Sequence, residues 1–285
     1  MPLPRPRAVR TSLVLVAATL AAGVLSAHDT WLMPVRGSVP VGGRATLEMT
    51  SAGRFAVNET AIKPERIERA HAYLAGAETP LVAGAARNRA LRLTSAPLAR
   101  AGTATLVVSL RPRTLTLEPR DVAHYLDEIG VDSGVRAAYR AGDGTWTETY
   151  AKHAKSFVRV GDVPGDSSWR EPIGQRLELV PQGDPVRLRA GSTLRVQVLR
   201  CLVPQPGQSV GWTRAGAAKG GMARADAEGM VSVRLDRPGK WLVRATSLRT
   251  SDQTMSAGGC ALPTDPASPD ARWRSDFATL VLEVR

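Results

Sequence analysis

The sequence predicts a mainly β chain, built as two β-sandwich units joined by a short helical segment. Three observations carry this reading. Glycine (26) and proline (20) are frequent among the 285 residues, which favours turns and short strands over long helices. Short apolar or alternating runs recur on both sides of residue 119, each bounded by turn residues. Only the stretch 119–140 shows sustained helical spacing. Hydrophobic residues make up 43% and charged residues 22%, a globular balance that excludes a disordered, collagen-like or multi-span membrane chain.

The first 27 residues read as an address. Arg5, Arg7 and Arg10 precede an apolar stretch from Leu13 to Leu25, which ends at Val24-Leu25-Ser26-Ala27, and no acid appears before Asp29. That is the layout of a secretory signal peptide, with small residues at the cut. The apolar run is short for a membrane span. The absence of a nearby Cys or Arg pair argues against lipoprotein processing and twin-arginine export. The expectation is Sec export to a periplasm, with a mature protein that does not span the membrane.

From residue 28 to about 118 the chain reads as strands: Val39–Thr50 behind the turn Val41-Gly42-Gly43, then Arg66–Leu74, Ala90–Thr94 and Thr103–Leu110. Between Pro119 and Gly130, Val122, Tyr125, Leu126 and Ile129 recur at helical spacing, with the proline as a start and the glycine as a stop signal. Residues 147–160 carry mixed signals. Tyr150, Ala154 and Phe157 fit a helix, whereas Ser156–Val160 fits a strand. A second set of strands follows: Leu177–Val180, Thr193–Leu199, Val210–Arg214, Met230–Leu235, Trp241–Thr246 and Phe277–Val284. The stretch 247–272 reads as a long polar loop. The expected division is 1–27 leader, 28–118 first sandwich, 119–175 helical connector and loop, and 176–285 second sandwich.

The formal net charge is +12, yet it points to no polyanionic partner. Only Lys63, Lys152, Lys155, Lys219 and Lys240 are lysines. The arginines are scattered among apolar residues, as in Arg187-Leu188-Arg189, which reads as the solvated face of strands. No run of five basic residues exists, so no nucleic-acid tail is expected. Export makes a disulfide the default for Cys201 and Cys260, the two cysteines. It would close a loop of about 60 residues, for which chain entropy gives roughly 4 kcal/mol.

His28 is the sharpest chemical feature. A cut after Ala27 makes it the new amino terminus, offering an α-amine and an imidazole to one ion. Nitrogen donors of this kind suit copper(II), nickel(II) and, less selectively, zinc. Asp29 adds a carboxylate. Of the other histidines, His71 is the expected second partner because it shares the first sandwich. His124 on the helix and His153 beside Lys152 and Lys155 form no paired metal motif. Met33, Met49 and Met255 are isolated and read as filler. Trp31, Trp146, Trp169, Trp212, Trp241 and Trp273 are scattered and read as packing anchors. Serine-elbow, phosphate-loop and dinucleotide motifs are missing, so no enzyme is expected.

Several stretches are familiar together: TETYAKHAKSFVRVGD (147–162), PIGQRLELVPQGDPVRLRAGSTLRVQVL (172–199), DAEGMVSVRLDRPGKWLVRA (226–245) and WRSDFATLVLEV (273–284). With the opening His28-Asp29-Thr30-Trp31, they resemble a family of exported bacterial proteins catalogued as a domain of unknown function. These are often labelled periplasmic components of nickel or cobalt uptake systems. The resemblance covers nearly all of 28–285. Residues 200–207 and the Cys-bearing 247–272 stretch depart from its pattern. The resemblance implies capture of a nickel or cobalt ion for an inner-membrane metal transporter. The expected fold is an immunoglobulin-like sandwich followed by a transthyretin/carboxypeptidase-regulatory-like one. The expected metal residues are His28, Asp29 and His71. A copper protein or copper monooxygenase using the terminal His is an alternative, and an envelope adaptor without metal is another.

Overall fold

The computed structural model describes residues 28–131, 133–139, 144–162, 166–251, 261 and 263–285. The expected leader, Met255 and Cys260 lie outside the described residues. In chain order the strands of the first half are β1 (Asp29–Pro34), β2 (Ser38–Val39), β3 (Thr46–Ala52), β4 (Thr60–Ala61), β5 (Ile67–Leu74), β6 (Ala77–Arg87), β7 (Ala90–Ser95) and β8 (Gly102–Leu117). Helices α1 (Pro119–Ile129) and α2 (Ser133–Ala138) follow, then β9 (Trp146–Val160). The second half contributes β10 (Leu177–Pro181), β11 (Ser192–Arg200), β12 (Val203–Pro204), β13 (Ser209–Arg214), β14 (Gly221–Arg224), β15 (Met230–Leu235), β16 (Gly239–Thr250) and β17 (Trp273–Val284).

The protein is mainly β, with two sheets and a short helical segment, as expected. Among the described residues, the larger sheet runs β1-β3-β7-β6-β5-β8-β9-β17-β16-β13-β14, with β2 on β9 and β4 on β3. The smaller sheet holds β10, β11, β12 and β15. The long ladder turns a corner at β6, whose first residues pair with β5 and whose later ones pair with β7. A register shift between Ala83 and Ala86 marks the bend, the usual role of a bulge. The strands β1, β3 and β7 thereby fold back over β5, β8 and β9. Leu47, Met49, Leu91 and Leu93 pack on Leu106, Val108, Ala154 and Val158 in the first core.

β9 joins the two halves. It pairs antiparallel with β8 on one side and parallel with β17 on the other. Residues read as mixed in the sequence therefore form one central strand. The mixture has a physical cause: Ala154 and Val158 face the first core, whereas Phe157 faces a second. In that second core the smaller sheet, through Leu179, Val196 and Val233, covers Trp241, Val243, Leu280 and Leu282. Burial on both faces also marks the first nine residues of β8, which are buried without interruption.

The helical pattern places α1 as read. Val122, Tyr125, Leu126 and Ile129 are its buried residues, Pro119 stands in the first turn, and Gly130 ends it at φ 65°. That left-handed conformation suits glycine at a helix C-terminus. The apolar stripe rests on Leu117, Trp146, Leu248, Trp273 and Phe277. Two readings needed extension. β16 continues to Thr250, so the polar loop begins later than residue 247. Residues 77–87 form a strand that the sequence hid, because all but two of its residues are exposed.

β1 has both faces covered. Leu32 enters the first core. Trp31, 1% exposed, packs with Ala52, Phe55, Leu242 and Val281. The opening strand therefore lies against both halves of the molecule.

Candidate functional site

Two groups of polar side chains stand out, one closed and one open. The closed group lies between the larger sheet and the smaller one. The β8–β9 register sets Ser109 opposite His153, and Ser109 Oγ lies 3.0 Å from His153 Nδ1. On the other side of the ring, Nε2 lies 3.0 Å from Asp276 Oδ1. A carboxylate only accepts, so Nε2 carries a proton and donates to Asp276. Arg176 Nε donates to the same Asp276 oxygen at 2.9 Å, and Arg200 Nη2 lies 3.8 Å from the other. Burial raises the Asp276 pKa. The hydrogen bond and charge of His153 and the charge of Arg176 outweigh it, and the carboxyl sits below its usual range.

Serine, histidine and aspartate in a row resemble a nucleophile relay. Here Ser109 is 7% exposed, His153 3% and Asp276 1%, so the row is sealed between sheets and is read as structural. Beside it, Lys155 Nζ donates to Glu178 Oε1 at 2.5 Å. The Glu178 carboxylate also accepts the backbone N–H groups of Ile173 at 2.7 Å, Gly174 at 2.9 Å and Gln175 at 3.3 Å. Burial pushes the Lys155 ammonium below its usual range, and Glu178 opposes that shift. A third buried carboxylate, Glu148, accepts from Tyr125 Oη at 2.8 Å, from Trp146 Nε1 at 2.9 Å and from Ser275 Oγ.

The open group surrounds the start of β1, which is held at two backbone carbonyls and at one side chain. Lys152 Nζ donates to the His28 carbonyl, and Thr279 Oγ1 donates to the Thr30 carbonyl at 2.6 Å. Arg244 Nη1 donates to Asp29 Oδ2 at 2.8 Å. The His28 side chain stays 45% exposed, with Nε2 3.4 Å from Glu59 Oε2. Glu59 Oε2 also accepts the Gly53 N–H at 3.1 Å. Burial lowers the Lys152 pKa to about 8, against the pull of Asp29. Burial likewise raises the Asp29 carboxyl, opposed by Arg244. A cleft of about 350 Å³ opens beside this group, with Asp29, Phe55, Glu128, Trp212, Met222 and Arg244 in its wall.

The expected metal residues do not assemble as a set. Asp29 is committed to Arg244. His71 lies on β5, reached along the ladder from β1 only through β3, β7 and β6. Its Nδ1 is 3.3 Å from Glu78 Oε1. Among the described residues, no three His, Cys, Asp or Glu side chains form a group that could hold a metal ion. What the structure offers at His28 is narrower: one exposed ring on a backbone fixed by Lys152. Glu59, which sequence reasoning missed, is its neighbour. Spacing could not reveal it, because the β3–β4 pairing brings residues 50–61 back on themselves.

The remaining candidates resolve simply. Met49 is core, and Met33 packs beside Trp31. Trp146 and Trp273 stack at 4.2 Å, and Trp169 and Trp241 are buried. Cys201 sits at a turn after β11 with φ 50°, and its expected partner Cys260 is outside the described residues. No helix among the described residues is long and apolar enough to cross a membrane.

A family described as Domain of unknown function (DUF4198) matches residues 25–249. No curated protein matches. Among solved structures, the Yersinia pseudotuberculosis adhesin InvE is 12% identical, with 88% of this chain and 58% of that chain covered and a TM-score of 0.23. The D0-D1 domain of intimin is 13% identical, with 75% and 88% covered and a TM-score of 0.20. A Salmonella alpha-2-macroglobulin mutant is 12% identical, with 88% and 14% covered and a TM-score of 0.22. This chain thus spans little more than half of the adhesin's length, and likenesses this faint carry no functional argument.

Proposed function

We propose, from the premise that this chain belongs to the DUF4198 family of unknown function, that it is an exported periplasmic metal-binding protein. It captures a nickel or cobalt ion at its mature amino terminus and passes it to a membrane transporter. The observation that carries this is the contrast at His28. Its carbonyl is pinned by Lys152 while its ring stays exposed. A chelate built on a fixed backbone loses little freedom on binding, which is how preorganisation raises affinity. Leader removal after Ala27 would complete the chelate by supplying the α-amine. The resemblance of the sequence to labelled uptake components supports the choice of nickel or cobalt.

Three measurements test this. Intact mass of the secreted protein, with and without Ni(II), Co(II) and Cu(II), reports the cut and the ion together. The second compares mature protein beginning at His28 with one carrying Gly-Ser-Gly ahead of it. The extension should weaken Ni(II) binding more than tenfold, about 1.4 kcal/mol, and His28→Ala should do at least as much harm. Affinity untouched by both changes would overturn the reading. Third, Cys201 and Cys260 should give no free thiol in unreduced, unfolded protein, and two reactive thiols would argue against an oxidising compartment. The adaptor reading keeps one observation in its favour: Asp29 and His71 each already have a partner.

A further inference from the structure

We infer that a cavity between the helical segment and the open edge of β16 binds a small organic acid, with Arg249 and Arg224 taking its carboxylate. The cavity arises where two strands part. β13 pairs with β16 only as far as Ala245, and β16 runs on to Thr250 with β17 alone. Residues 246–250 form one wall, and the end of α1 and helix α2 contribute another. The volume is about 400 Å³, within the roughly 300–1,000 Å³ common to small-molecule sites.

The wall is cationic. Arg249 and Arg224 both line it, and no Asp or Glu does so among the described residues. Among those residues, each arginine is tied only to neutral acceptors. Arg249 Nη2 donates to Gln205 Oε1 at 3.2 Å, and its Nε is buried without a hydrogen-bond partner. Arg224 Nη1 donates to the Gly207 carbonyl at 2.9 Å and Nη2 to the Val131 carbonyl at 3.4 Å. The guanidinium is thereby fixed between the loop before β13 and the end of α1. The interior behind adds to the positive field. Burial lowers the Arg200 pKa, Asp276 opposes the shift, and the charges of Arg249 and Arg176 lower it further. Asp276 already faces His153, Arg176 and Arg200, so it does not neutralise Arg249 as well. A cleft lined by one sign of charge concentrates its field on an incoming counter-ion. A guanidinium fork matches a carboxylate. Val135, Leu248 and Trp273 supply an apolar surface beside the hydroxyl-bearing Ser209 and Ser247. That surface favours an anion with a carbon skeleton over an inorganic one, which has nothing to lay against an indole.

The test uses mature protein beginning at His28, titrated by calorimetry with benzoate, with its uncharged counterpart benzamide and with inorganic phosphate. Benzoate should bind, and benzamide should bind about tenfold or more weakly, because it brings no charge to the arginines. Phosphate should bind more weakly than benzoate. Arg249→Gln should weaken benzoate by about tenfold or more. Arg249→Lys keeps the charge without the fork and should fall between. Val135→Trp should abolish binding by filling the cavity while leaving both arginines in place. Thermal melts confirm that each variant is folded, and the comparison of benzoate with benzamide needs no variant. Four results would each overturn the assignment: no benzoate binding at millimolar concentration, equal affinity for benzoate and benzamide, phosphate bound as tightly as benzoate, or benzoate affinity unchanged by both Arg249→Gln and Val135→Trp. None of them bears on Ni(II) binding at His28, so this inference and the metal reading fail separately.

Discussion

Asp276→Ala should lower the unfolding free energy by about 3–5 kcal/mol, the range for breaking a buried ion pair. The change removes the acceptor of His153 Nε2 and of Arg176 Nε, and the carboxylate that faces Arg200. Asp276→Asn keeps an acceptor but loses the charge, and should fall between wild type and Ala. Urea unfolding monitored by tryptophan fluorescence checks both, since Trp273 is on the same strand. A loss under about 1 kcal/mol for Ala would place the site among ordinary surface changes. The pH dependence follows from the depressed Asp276 pKa. Its contribution is complete above the ordinary carboxylate range and disappears as pH falls through the lower, folded-state value. Asp276→Ala should therefore narrow the stability gap to wild type in acid.

Glu178 and Lys155 should prove unequal partners. Lys155→Met leaves a carboxylate that still accepts three backbone N–H groups, so part of its charge remains compensated. Glu178→Leu strands a buried ammonium and frees those three donors at once. The expected losses are about 3–5 kcal/mol for Glu178→Leu and clearly less for Lys155→Met. The double variant Lys155→Met/Glu178→Leu should be more stable than Glu178→Leu alone, because the uncompensated charge is gone. Additive losses in this cycle would mean that the two groups do not interact energetically.

These residues explain what the recognisable stretches of the sequence are for. Lys155 belongs to TETYAKHAKSF, Glu178 to LELVP, and Asp276 to WRSDFATL. Lys155 pairs with Glu178, and Asp276 with His153 of the first of these stretches. Most of the strands were legible from alternation and turns, and α1 from four apolar residues with a start and a stop signal. The central position of β9 was not, because His153 and Lys155 look like surface residues until their partners arrive from more than twenty residues away. β6 was missed for the opposite reason, lacking an apolar face. At the amino terminus His28 was legible as a chemical feature, but its neighbours were not. The choice of His71 rested on its sharing the first sandwich with His28, and its ring stands beside Glu78.

The parallel pairing of β9 with β17 bears on when the protein can acquire its fold. Glu148 and His153 wait for Ser275 and Asp276, and the opening strand waits for Thr279 and Val281. Leu32 and Leu280 stand almost 250 positions apart, yet strands β1 and β17 touch. Contacts of such long sequence separation form slowly, since loop closure must precede any reward. Every residue of the first core lies between Leu32 and Val160, so it is the second core and the cover over Trp31 that wait for β17. The second half stays open until residues 273–284 are made. Cutting those twelve residues would take Leu280 and Leu282 from the second core, Trp273 and Phe277 from beneath α1 and Val281 from beside Trp31, and leave every residue of the first core in place.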